Sequence, residues 1–332
     1  MIATISSAQE KKTFTLNDVI PGGDNYFNLV PKSMPGLQWW GDICVRTDIE
    51  NIKKIDTKSG KESILVTLEE VNEALKNGEM PYKLTSHIKP LRTLMAASLP
   101  WGDRNVITFT QYDDRTPGQK YMIWYDFSKK KIVNLFNLQG EGPTNFDFCK
   151  ENGYMAYTIG NDLYVAHERD FSSMVNPKVT GNQQQEKDVV YGQAVHRNEF
   201  GIMKGTFWSP KGTYLAFYRM DQSMVTDYPQ VNTTARIAEL VPDKYPMAGM
   251  TSHKVTVGIY NVKDGKTIYL QAGDPTDRYF TNISWGPDEK SIFVIELNRD
   301  QNHAQLVQYD AVSGQKIGAV SYTHLRAHET SQ

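Results

Sequence analysis

Apolar residues in this chain come in short runs, about four to seven residues at a time, cut by Gly, Pro, Asn, Asp and Ser. Runs of that length with that punctuation are strands joined by tight turns. One segment departs from the pattern. Between Thr67 and Lys76 the residues Leu68, Val71, Ala74 and Leu75 fall at helical spacing, and Asn77-Gly78 follows as a stop signal. The pattern predicts an all-β chain with one short helix.

The strands repeat. Trp208-Ser-Pro-Lys-Gly-Thr-Tyr-Leu-Ala-Phe217 matches Trp285-Gly-Pro-Asp-Glu-Lys-Ser-Ile-Phe-Val294 in residue type: an aromatic strand end, a turn containing Pro, then an apolar strand. A second element recurs at Lys54-Ile-Asp-Thr-Lys-Ser-Gly60, Trp124-Tyr-Asp-Phe-Ser128, Tyr260-Asn-Val-Lys-Asp-Gly265 and Tyr309-Asp-Ala-Val-Ser-Gly314. Here a strand ends in an acidic or amide residue, and the turn often closes on Gly, the residue that tolerates left-handed backbone. The two elements alternate. Units of about four short strands with a recurring turn define a β-propeller, in which each sheet hides its faces against its neighbours. About five blades are expected, at 38–67, 90–138, 143–180, 195–271 and 278–320.

Composition agrees and excludes several classes. The apolar fraction is 39%, the charged fraction 22% and the aromatic fraction 11%, which suits a folded, strand-rich chain. A net charge of −2 leaves no basic field for nucleic acid. Cys44 and Cys149 form no C-x-x-C pair, so no cysteine zinc site is expected; two buried free thiols are the simpler reading beside one disulfide. No apolar run is long enough to span a bilayer. Residues 1–13 resemble the tail of a signal peptide and a linker, which implies a periplasmic, cell-surface or secreted protein. Residues 321–332 break the strand pattern after Val320 and resemble translated adapter sequence. They are set apart as a non-native tail, and His324 and His328 within it are discounted as ligands.

Catalytic motifs are missing from the chain. It has no G-x-S-x-G, H-E-x-x-H, P-loop or G-x-G-x-x-G. Asp103 and Asp113-Asp114 read as solvated turn carboxylates. His87, His167, His253 and His303 lack ligand spacing, so no metal and no cofactor are expected. One stretch stands out. From Tyr191 to Pro210, Glu199 lies among apolar residues just before a core strand. It either pairs locally with Arg197 or Lys204, or is a carboxylate aimed at the central channel to receive a cation.

That stretch, with Trp208-Ser-Pro-Lys-Gly and Leu215-Ala-Phe-Tyr-Arg219, resembles the propeller of the dipeptidyl peptidase IV family within the prolyl oligopeptidase superfamily. It is most similar to the bacterial prolyl tripeptidyl peptidases. Tyr245-Pro-Met-Ala-Gly249, Val255-Thr-Val-Gly-Ile-Tyr260 and Tyr279-Phe-Thr-Asn-Ile-Ser-Trp-Gly-Pro-Asp288 resemble the same family, and the likeness covers 14–320. The resemblance implies an eight-bladed propeller joined to an α/β-hydrolase domain carrying the Ser-Asp-His triad. This chain would hold about five blades, truncated before the hydrolase domain, with no catalytic residue and no activity of its own. It also implies that Glu199 binds the free α-amino group of a peptide with proline near the cut. The family's dipeptidyl members use adjacent glutamates. Asn198-Glu199 offers one, which favours tripeptide over dipeptide release. The insertion from about Asp221 to Ser252 corresponds to an arm that packs a homodimer. The alternative is a non-catalytic propeller that binds proteins.

Overall fold

The acidic or amide residue before each glycine turn caps a hairpin. In the computed structural model, which describes residues 13–30, 34–78, 85–101, 104–138, 142–167 and 187–322, Asp56 Oδ1 accepts from the backbone of Lys58 and Ser59. Asp126 does the same for Ser128 and Lys129, Asn261 for Lys263 and Asp264, and Asp310 for Val312 and Ser313. A short side-chain acceptor satisfies the turn's donors and fixes its direction. Three of the four turns close on a glycine of positive φ, Gly60, Gly265 or Gly314, where Lys130 stands in the second turn.

Each such turn joins the last two strands of a sheet. The first sheet is β1 (Leu37–Trp40), β2 (Ile43–Thr47), β3 (Asn51–Ile55) and β4 (Glu62–Thr67). Two short helices, α1 (Leu16–Val19) and α2 (Tyr26–Leu29), precede it. The predicted helix follows as α3 (Leu68–Lys76), opened by Thr67 and Glu70 in a reciprocal cap and burying Val71, Ala74 and Leu75. The second sheet is β5 (Val106–Tyr112), β6 (Lys120–Asp126) and β7 (Lys131–Asn137), with its first strand reduced to a bridge between Ser98 and Thr108. The third is β8 (Thr144–Phe148), β9 (Tyr154–Ile159) and β10 (Asp162–His167). In the fourth, β11 (Val189–Tyr191) and β12 (Thr206–Trp208) both pair with β13 (Tyr214–Asp221); a separate hairpin of β14 (Asp227–Asn232) and β15 (Glu239–Lys244) intervenes, and β16 (Lys254–Asn261) and β17 (Thr267–Tyr269) complete the sheet. The fifth is β18 (Arg278–Trp285), β19 (Ser291–Asn298), β20 (Ala304–Asp310) and β21 (Lys316–Tyr322). All pairings are antiparallel, and the sheets are the blades of a β-propeller.

The core lies between successive sheets. Val45 and Ile52 pack with Ile107 and Ile123, Trp124 with Met155 and Tyr157, Leu163 and Val165 with Leu215 and Phe217, and Val257 and Ile259 with Phe280 and Val294. Burial of such aliphatic and aromatic side chains contributes about 1.5–3 kcal/mol each. The Trp turns add a second register. Trp208 Nε1 donates to Asp147 O (3.0 Å) in the preceding blade, and Trp285 Nε1 donates to Phe207 O (2.9 Å) at the matching position one blade later. Cys149, Ser209 and Gly286 then take equivalent places, each donating its N–H to the residue five further on.

Several boundaries differ from the expectation. The fourth blade begins at Val189 rather than 195, because its first strand is interrupted and the first piece is short. Strand β21 continues through Ser321 and Tyr322, which pair with Gln305 and Ala304, so the pattern does not break after Val320. Asp113 is buried, accepting from the backbone of Arg115 and Thr116, whereas Asp114 is exposed. Cys44 and Cys149 are buried free thiols, and burial pushes Cys149 up from its ordinary value. Asp103, residues 1–12, His324 and His328 lie outside the described residues.

Candidate functional site

Three blades share a defect in their first strand. In β8 the register slips between Thr144 and Asp147, and in β18 between Thr281 and Ser284, so three steps oppose two on the partner strand. Asn145 and Asn282 sit in those bulges with φ of 52° each. In the fourth blade, Tyr191 opposes Arg219 and Thr206 opposes Phe217, again two steps on the partner. Residues 192–205 therefore stand where two residues stand in the neighbouring blades. The excursion is a bulge grown into a loop.

Its ends are closed by one residue. The Gly192 N–H donates to Tyr218 O (2.8 Å), and the Tyr218 N–H donates to Gly205 O (2.9 Å). A Cβ on Gly205 would come within 2.2 Å of Gln193 O, so the two legs touch and only glycine fits. Val195 and Ile202 bury themselves on either side of the tip. Between them His196, Arg197, Asn198 and Phe200 all have positive φ, at a cost of about 1–3 kcal/mol per residue. Glu199 alone among 196–200 has negative φ, −64°.

The chain places Glu199 at the exposed tip rather than among apolar side chains. Neither local cation pairs with it. Arg197 reaches the arm, bonding Asp243 Oδ2 (2.7 Å) and Lys244 O (2.8 Å) and lying over the Tyr245 ring. Lys204 turns the other way, to Asp147 Oδ2 (3.0 Å) of the third blade, which Thr206 also bonds. Among the described residues the Glu199 carboxylate has no ion pair. Thr281 Oγ1 donates to Phe200 O (3.1 Å), so the tip is tied to both adjoining blades.

Beneath the tip is a contact that residue type and spacing did not reveal. His196 Nδ1 and His253 Nε2 lie 2.8 Å apart, both rings buried, with Tyr279 edge-on to His196. Their sequence separation hides the pair. His253 is thus a packed histidine, and among the described residues no group of three or more His, Cys, Asp or Glu is placed to hold a metal ion.

The chain matches the family model for the dipeptidyl peptidase IV (DPP IV) N-terminal region over residues 102–330. It belongs to that family. In sequence and fold it is similar to a candidate dipeptidyl aminopeptidase IV from Bacteroides ovatus ATCC 8483, at 46% identity and a TM-score of 0.69, covering 95% of this chain and 40% of that one. It shares its fold with Porphyromonas gingivalis dipeptidyl peptidase 4, at 20% identity and a TM-score of 0.61, over 94% of this chain and 43% of the other. A protein of Phaeosphaeria nodorum named as a dipeptidyl-aminopeptidase B is 27% identical over 183 residues, 49% of this chain and 19% of that protein. The chain thus spans less than half the length of these relatives. No described helix is long and apolar enough to cross a membrane.

Proposed function

We propose that this chain is the substrate-recognition propeller of a secreted or periplasmic serine exopeptidase that removes short N-terminal peptides after proline, the triad lying in an α/β-hydrolase domain of the same polypeptide. Glu199 receives the free α-ammonium of the substrate. The observation that carries the reading is the Glu199 carboxylate at the tip, without an ion pair among the described residues, with both neighbouring cations already neutralised by Asp243 and Asp147. A carboxylate held this way offers charge-assisted hydrogen bonds that an N-acetylated peptide cannot return. A single acid at the anchor, with Asn198 beside it, favours tripeptide release over dipeptide release. The β14–β15 arm serves as the dimer contact, because it exposes Val231, Ile237, Leu240 and Val241 with no sheet to cover them.

Glu199→Gln in the complete enzyme tests the anchor. Loss of a charged hydrogen-bond partner costs about 1.5–3 kcal/mol, so KM for free-amine peptides should rise about 10- to 100-fold. Hydrolysis of N-acetylated peptides should stay as it was. Unaltered kinetics on both substrates would remove Glu199 from the site.

A further inference from the structure

The buried side of the excursion carries a histidine pair that amine binding does not use. Only one N–H can lie between His196 Nδ1 and His253 Nε2, and both rings are nearly sealed from solvent, at 4% and 9% exposure. Among the described residues His196 Nε2 has no hydrogen-bond partner. A buried polar ring held by one bond is placed by that bond, because breaking it strands two polar groups away from water.

We propose that the His196–His253 hydrogen bond positions the Glu199 carboxylate for an incoming ammonium, His196 and His253 acting as positioning residues. This rests on the amine-binding reading of Glu199. His196 is the first of the positive-φ residues, and Glu199 follows three positions later. Strained backbone of this kind keeps its shape only where the surroundings over-determine it. Three ties do so here. Thr281 fixes the far side at Phe200 O, and Arg197 grips the arm. The third tie, through His253, refers the tip to the start of β16, whose Val255 and Val257 are core residues. Of the three, it alone joins the near side of the tip to a central strand of the blade.

The groups around the pair favour the neutral state. Arg197 of the excursion faces His253 and is itself paired with Asp243 of β15; Tyr279 of β18 abuts His196; Lys254 follows His253 on β16. Burial, and then the neighbouring His253, holds His196 down to about 3; burial, and then the Arg197 charge, holds His253 down to about 4. The pair keeps its single shared proton near neutral pH.

The test uses the intact chain and two fluorescent peptides, one with a free amino terminus and one N-acetylated. His253→Phe should lower affinity for the free-amine peptide tenfold or more and leave the acetylated one unchanged. His253→Gln, whose amide nitrogen falls near the lost Nε2, should recover most of it. Wild-type affinity in H253F overturns the proposal. Glu199→Gln in the same assay separates the two ideas: if E199Q loses the preference and H253F retains it, only the positioning role fails. If E199Q retains the preference, the anchor itself is wrong and the positioning role falls with it. Should H253F not fold, the ring nitrogen resonances of the wild-type pair give the answer. A shift of His196 Nδ1 with the free-amine peptide alone supports the proposal, and no shift with either refutes it.

Discussion

His196 and His253 also make stability depend on pH. Their folded values, about 3 and about 4, lie below the ordinary 6.5, so between pH 6.5 and about 4 the unfolded chain binds the protons and the folded chain does not. Stability must then fall as pH drops through that window and be flat, as far as these groups are concerned, above it. Each histidine contributes about 2 kcal/mol between pH 6.5 and 5, at about 1.4 kcal/mol per pH unit. Urea unfolding at pH 7.5, 6 and 5 should show the loss, and His196→Phe with His253→Phe should remove most of the slope. Turn carboxylates such as Asp56 and Asp310, lowered by backbone hydrogen bonds from Ser59 and Ser313, lose their contribution only below their own ordinary value near 4. An unchanged slope in the double variant would place the acid sensitivity elsewhere. Residue type singles out Glu199 in the sequence and leaves open whether it pairs locally or stands free. Adjacency offers Arg197 and Lys204 as partners, yet Arg197 turns to Asp243 of the arm and Lys204 to Asp147 of the third blade. The histidine pair had no sequence signal, because nothing local links positions 57 apart.

At the scale of elements, the turns were readable and the interrupted strand was not. Asp56, Asp126, Asn261 and Asp310 announce themselves because an Asx cap is a local device that needs only the next three residues. The split of the fourth blade's first strand into β11 and β12 could not be seen, since Val189–Tyr191 is only three residues long and its partner β13 lies beyond the excursion. The expanded bulge has a sequence trace all the same: Thr144-Asn145 and Thr281-Asn282 mark the defect in the blades on either side. The insertion from Asp221 to Ser252 was legible as a long loop, and its content proved to be a two-stranded ribbon with Pro229 opposite Pro242. A lone hairpin is marginal in water, and this one is braced at its base by Arg197, by Lys244 to Asp227 and by Tyr228 against Tyr245. Its outer half, with Ile237 82% exposed, has no such support among the described residues. If that half meets its copy in a second subunit, deletion of residues 225–250 from the complete enzyme should convert a dimer to a monomer by light scattering. A dimer that survives the deletion would assign the interface to another surface.

At the scale of the whole molecule, the Trp cross-blade bond recurs between the third and fourth and between the fourth and fifth blades, and such bonds bear on how the fold should come apart. Each sheet packs chiefly against the one before and the one after, so coupling between distant blades must pass through the intervening interfaces. The Trp turns carry part of that coupling: Trp208 bonds the third blade and Trp285 the fourth. Glu289 extends the chain of contacts, because its carboxylate accepts from Ser209 Oγ and from the Lys211 N–H (2.6 Å) of the preceding turn. The Gly212 carbonyl accepts in turn from Asn152 Nδ2 (2.9 Å) one blade earlier. With turn linked to turn as well as face to face, one interface should not melt without loosening the next. Trp285→Phe keeps a ring and deletes the bond to Phe207 O, at a cost of about 1 kcal/mol. Trp208→Phe does the same one interface away. If the blades unfold as a unit, both variants should lower the midpoint of a single urea transition by similar amounts with the slope unchanged, and the double variant should show the sum. If instead each blade unfolds on its own, W285F should move only the phase reported by the fifth blade. Two resolved transitions would then mean that the excursion bearing Glu199 rests on a locally stable pair of blades rather than on the whole stack.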